Sequence, residues 1–185
     1  MPRPAHRPSL RDEALDRAVD LLRRGESLSL DSVAGATGLT KPGLMYHFPT
    51  KEALMTALVD RVVDGCEREL EGLLPAGAAS PTTHERLAAY LRWALTLPHD
   101  GSDLVMLSDP RLRDCLIDRW SERLRTWVEV PEDLPAQDRA RLHLVRLAAD
   151  GCWFADASGC APLAADERPD VLRLGLELLE PGEGP

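Results

Sequence analysis

The stretch Ser27-Leu-Ser-Leu-Asp-Ser-Val-Ala-Gly-Ala-Thr-Gly38-Leu-Thr-Lys-Pro-Gly-Leu-Met-Tyr-His-Phe-Pro-Thr-Lys-Glu-Ala-Leu54 decides the fold. A first short helix is expected from about Asp31, burying Val33, Ala34 and Thr37. Gly38 supplies the tight turn. Thr40 is placed to cap a second short helix, and Pro42 suits its first turn, where a missing N–H costs little. That helix stops at Phe48-Pro49, and Thr50 caps the next. Two short helices meeting at a glycine are the layout of a helix-turn-helix, which sets the second helix into the DNA major groove.

Working outward, helical periodicity dominates and strand alternation is absent. A helix from about Ser9 to Arg24 carries Leu15, Ala18, Val19 and Leu22 at one-face spacing, and Gly25 ends it. The helix after Thr50 runs to about Leu74, with Leu54, Leu58, Val62, Cys66 and Leu70 along one edge. Residues 75–81 form the clearest loop in the chain. Further helical segments are expected near 82–97, 102–108, 110–130, 135–158 and 167–180. The fold class is therefore all-α, with about nine helices: a helix-turn-helix head over residues 1–50 and a helical effector-binding and dimerisation body over 51–185.

The chain has 185 residues and a net charge of −9, which looks unsuited to DNA until the charge is mapped. Residues 1–60 hold eight basic and eight acidic side chains, so the remainder, with 14 basic and 23 acidic, carries the excess. Arg3, Arg7 and Arg11 form an acid-free arm, free to reach a phosphate or the minor groove or to go unused. Residues 40–51 hold Lys41 and Lys51 and no acid. Local positive patches suffice, because screening confines each field to about 8–10 Å.

A groove-reading motif needs a buried scaffold, a helix presented to base edges, and anchors on phosphates. Val33, Ala34, Leu39, Met45 and Phe48 are the expected scaffold. Thr40, Lys41, Pro42, Gly43, Leu44, Tyr46, His47 and Lys51 are the candidate DNA-binding residues. Lys41 suits either a base acceptor or a phosphate. Tyr46 suits a phosphate or a core position, and His47 a phosphate or bare surface. Lys51 joins its ammonium to the exposed N–H groups of a helix first turn.

Val33-Ala34, Gly38-Leu39-Thr40, Tyr46-His47-Phe48 and Lys51-Glu52-Ala53-Leu54 resemble the N-terminal signature of the tetracycline-repressor (TetR) family of transcriptional regulators, over about residues 8–60. The resemblance implies a homodimer with an N-terminal helix-turn-helix and a ligand-binding all-α body. It also implies backbone contacts from Tyr46 and Lys51, with base reading by Thr40 to His47. Two positions depart from the pattern: Leu21-Leu22, where a leucine–aromatic pair is common, and Leu44, where a small polar residue is common.

The body is less explicit. Residues 147–157 are similar to a late stretch of many family members, and their small residues allow close helix approach. The last helix has two apolar faces, Val171, Leu174 and Leu178 on one and Leu172, Leu176 and Leu179 on the other. Two faces need two partners, which places a homodimer interface on the last two helices. Trp93, Trp120, Trp127 and Trp153, with Met106, are either core packing or the walls of a pocket for an apolar or aromatic effector. Asp150 beside Trp153 is a candidate counter-charge, a cap or a solvent-exposed acid. The cysteines Cys66, Cys115, Cys152 and Cys160 read as reduced core residues. No metal, cofactor or catalytic set is expected, since there is no phosphate loop, HExxH or nucleophile elbow. No signal peptide or membrane span is legible, so a cytoplasmic location is expected. The whole reads as a repressor released from a palindromic DNA operator by a small molecule. The alternative is a helical ligand-binding dimer acting through protein partners.

Overall fold

The computed structural model describes residues 9–77 and 80–180. Arg3 and Arg7 of the basic arm lie outside them. Every described element is helical: α1 (Leu10–Arg23), α2 (Leu30–Thr37), α3 (Lys41–His47), α4 (Lys51–Gly72), α5 (Thr83–Thr96), a 3-10 segment (Gly101–Leu107), α6 (Arg113–Val128), α7 (Ala136–Ser158) and α8 (Arg168–Leu179). None of them is long and apolar enough to cross a membrane.

The chain divides into two compact units. The first comprises the residues up to Val62 together with Gly101–Trp120. Here α1 packs on α2 and on the 3-10 segment, and α2 packs on α3. Ala14, Leu15, Ala18, Leu21 and Leu22 form the buried face of α1. Val19, expected on that face, is only half-buried, and Leu21 takes its place. Two glycines close the short helices. Gly25 (φ +70°) and Gly38 (φ +69°) occupy the left-handed region, where a side chain is strained. At the first, Gly25 N–H bonds Leu22 O and Glu26 N–H bonds Leu21 O, the paired closure of a Schellman turn. At the second, Leu39 N–H reaches back to Ala34 O at 3.0 Å.

The second unit comprises Val63–Asp100 and the residues from Ser121 onward. Its core is the mutual packing of α5, α7 and α8. α5 starts with a reciprocal cap: Thr82 accepts from Glu85 N–H, and Glu85 accepts from Thr82 N–H. Gly175 sits at the α8–α5 crossing. A Cβ there would come within 2.5 Å of a Leu91 methyl carbon, and Leu91 is itself fully buried. The glycine is needed for close approach, not for its dihedral freedom.

Two expectations change at element level. The segment near 102–108 is a 3-10 stretch with an irregular residue, Leu104, rather than an α-helix. α6 begins at Arg113 instead of Pro110, because Asp109 caps a turn first: its Oδ1 accepts the Arg111 N–H at 2.8 Å. The cysteines are also not uniformly core residues. Cys66 is buried and Cys152 half-buried, but Cys115 and Cys160 are exposed; each sits where its helix or turn faces outward.

Candidate nucleic-acid interface

The interface is built by three caps. Ser29 accepts from Ser32 N–H at 3.0 Å and starts α2. Thr40 accepts from Gly43 N–H at 3.2 Å and starts α3, with Pro42 in its first turn. Thr50 accepts from Ala53 N–H at 3.0 Å and starts α4. Each cap satisfies a donor that the helix itself leaves orphaned. Only two residues, Phe48 and Pro49, separate His47 from the Thr50 cap, so α3 and the first turn of α4 form one surface.

That surface divides sharply. Leu44 and Phe48, one turn apart, are buried at 0% and 1% exposure. Thr40, Lys41, Pro42, Tyr46 and Lys51 are exposed, and Gly43 and His47 are half-buried. Tyr46 is 86% exposed, which removes the core alternative for its ring. Its ring and that of His47 lie 5.2 Å apart, edge to face.

Two assignments exchange roles. Leu44, counted among the DNA-contacting residues, is wholly buried. Met45, counted in the scaffold, is 39% exposed. Helical phase explains both: Leu44 and Phe48 are four apart and share the inner face, and Met45 is rotated about 100° from it. Leu44 therefore supports the reading helix from behind. Arg11, from α1, stacks its guanidinium over the Phe48 ring at 5.2 Å and so also braces this helix.

Both lysines of the acid-free stretch are held by carboxylates from elsewhere in the chain. Lys41 Nζ lies 2.9 Å from Asp31 Oδ2, at the start of α2. Lys51 Nζ lies 2.5 Å from Asp109 Oδ2. The Lys51 ammonium is the main reason the Asp109 carboxyl is held below the usual carboxylate range, and the Arg111 N–H adds to it. Nothing in the sequence spacing pointed to Asp109.

The candidate effector residues scatter. Met106 and Trp120 belong to the first unit, the former buried and the latter half-buried. In the second unit, Trp93 and Trp153 come together at 6.3 Å between ring centroids. Trp93 is fully packed: it stacks on Tyr90 at 5.6 Å, meets His99 edge-on at 4.4 Å and donates its Nε1–H to Glu69 at 2.8 Å. Trp127 lines a separate surface hollow of about 640 Å³ with Leu74, Pro75 and Pro81.

Tyr90, which sequence reasoning passed over, is the polar centre of the second unit. Its hydroxyl donates to Asp150 Oδ1 at 2.8 Å, and the other carboxylate oxygen accepts from Arg146 at 2.8 Å. Burial, then the Asp150 charge, pushes the Tyr90 hydroxyl pKa well above its ordinary value. Asp150 is thus committed to Tyr90 and Arg146; it is neither a cap nor a bare surface acid. A second such tie joins Arg168, at the start of α8, to Asp156 on α7 at 2.6 Å.

A helix-turn-helix on an all-α scaffold with a polar, half-buried body is the architecture of a regulator. The family model for the tetracyclin repressor-like C-terminal domain matches residues 85–180, about half of the chain. The chain belongs to this family of transcriptional regulators. It is similar to the HTH-type transcriptional regulator EthR of Mycobacterium tuberculosis and of Mycobacterium bovis. The identity is 32% over 79 residues, covering 38% of this chain and 37% of each relative. The chain thus matches well under half the length of these curated relatives. Two solved structures share its fold. One, from Rhodococcus sp. and assigned to the TetR family, has a TM-score of 0.62 at 16% identity, over 92% of this chain and 98% of its own. The other, AmtR of Mycobacterium smegmatis, has a TM-score of 0.53 at 20% identity, over 98% and 90%.

Proposed function

We propose that the protein is a DNA-binding transcriptional repressor, released from a palindromic operator by a small molecule, and that residues 1–50 are the reading head and 51–185 the effector and dimer body. The observation that carries DNA binding is the exposed face formed by Thr40, Lys41, Tyr46, His47 and Lys51. It gathers hydroxyl, imidazole and ammonium donors with no acid among residues 40–51. Lys51 and Tyr46 are suited to phosphate oxygens, and Thr40, Lys41 and Gly43 lead α3 toward base edges.

A second copy of the chain is the partner that fits α7 and α8. Leu144, Leu147 and Phe154 of α7 and Leu174 of α8 are 45–56% exposed. On α7 they recur at three- and seven-residue intervals around Ala148 and Gly151, which are also exposed. An apolar stripe flanked by small residues suits close helix pairing across a two-fold axis. Two reading helices would then meet successive major-groove faces of an inverted repeat.

The effector is an apolar or aromatic molecule of the kind tryptophan faces accept, with Trp93, Trp120, Trp127, Trp153 and Met106 as candidate contacts. It acts only if it binds the DNA-incompetent state more tightly. The protein works in the cytoplasm, where duplex DNA is within reach. The test is a gel-shift with the duplex upstream of the protein's own coding region: a retarded band at moderate ionic strength, lost with Lys51→Ala, is expected. Absence of any duplex preference would remove the function.

A further inference from the structure

We propose that Asp109 is an internal stand-in for a DNA phosphate, holding the Lys51 ammonium that a duplex must take over and so weakening operator binding. The proposal rests on the DNA-binding reading above and adds to it a residue that tunes affinity from outside the helix-turn-helix.

The two partners are unequal. The Asp109 side chain is 9% exposed and that of Lys51 is 44% exposed. Asp109 is fixed to the backbone through Oδ1, which accepts the Arg111 N–H, so Oδ2 remains for the lysine. Lys51 opens α4 directly after the Thr50 cap. Its ammonium therefore sits at a helix start open to solvent, where an arriving phosphate would meet it. The anchored carboxylate presents a charged oxygen to the ammonium as a phosphate does.

The pairing of Lys41 with Asp31 is different in kind. Both side chains are about half or more exposed, at 49% and 70%, so water and salt weaken it. Asp109 is shielded on its own side and keeps most of its hold. A lysine already neutralised by a carboxylate releases fewer counterions when it meets a phosphate. Removing the carboxylate charge while keeping its capping oxygen should thus raise both the affinity and its salt dependence.

Asp109→Asn keeps an acceptor for the Arg111 N–H, and Asp109→Ser is a second uncharged capping residue. Operator affinity is measured by fluorescence anisotropy across a salt series for the full chain, these two variants, Asp109→Glu, and each uncharged change combined with Lys51→Ala. Both uncharged variants are expected to bind about two- to fivefold more tightly, with a steeper salt slope, and Asp109→Glu to stay near the parent. In the Lys51→Ala background the gain should vanish, because a general loss of negative charge would persist there whereas a lysine-specific one cannot. Unchanged or weaker binding by the uncharged variants, or a gain surviving without Lys51, overturns the proposal. A parent chain that selects no duplex at all instead overturns the DNA-binding reading beneath it.

Discussion

Lys51 carries two loads in this structure, one internal and one facing outward. Internally it pairs with Asp109, whose carboxyl it holds below the ordinary carboxylate range. A group with a lowered folded-state pKa adds stability above its unfolded value and loses it as pH falls through the folded one. Lys51→Ala should therefore cost about 1 kcal/mol at neutral pH, a cost that shrinks below about pH 4 as Asp109 takes up its proton in both states. Paired thermal melts at pH 7 and pH 3 check this; an equal difference at both would remove the ion pair from the account. Tyr90 offers a second residue-scale test. Its hydroxyl is buried against Asp150, so Tyr90→Phe should cost about 1–2 kcal/mol, read from denaturant unfolding. A neutral change would mean that Arg146 alone satisfies the carboxylate.

At the scale of elements, packing distance rather than dihedral preference decides the sharpest case. Gly175→Ala adds a methyl that meets the buried Leu91 side chain. Better helix propensity returns up to about 1 kcal/mol, and overpacking costs about 1–3 kcal/mol. The net expectation is a loss of about 1 kcal/mol in chemical unfolding, and a stabilised variant would show that α8 and α5 pack more loosely. Elements set by local chemistry were legible in advance: Thr40 and Thr50 as caps, Pro42 in a first turn, Gly25 and Gly38 as stops. Each needs only neighbours within four residues. The choice between Leu44 and Met45 was not legible, because a seven-residue helix with two adjacent apolar side chains leaves its phase open until Phe48 fixes it from below. Asp109 was harder still. It meets Lys51 across 58 positions of sequence, and Asp150 meets Tyr90 across 60; no periodicity signals such pairs. The 3-10 segment fell between helix and loop, since its apolar residues suit either.

At the scale of the whole molecule, the exposed stripe of Leu144, Leu147 and Phe154 on α7 is costly to leave in water. Leu147→Glu should break a dimer into protomers in sedimentation equilibrium with little change in helix content. If the parent chain itself sediments as one protomer, the stripe has some other partner. The family membership, the all-α fold and the exposed face of α3 converge on operator recognition by a symmetric pair. The most direct measurement is selection of bound duplexes from sheared genomic DNA at moderate salt, followed by anisotropy on the recovered sequence. The account predicts an inverted repeat bound by two chains, with a salt slope that falls by about one when Lys51 becomes alanine. Recovery of no common sequence, or a slope indifferent to Lys51, would contradict it.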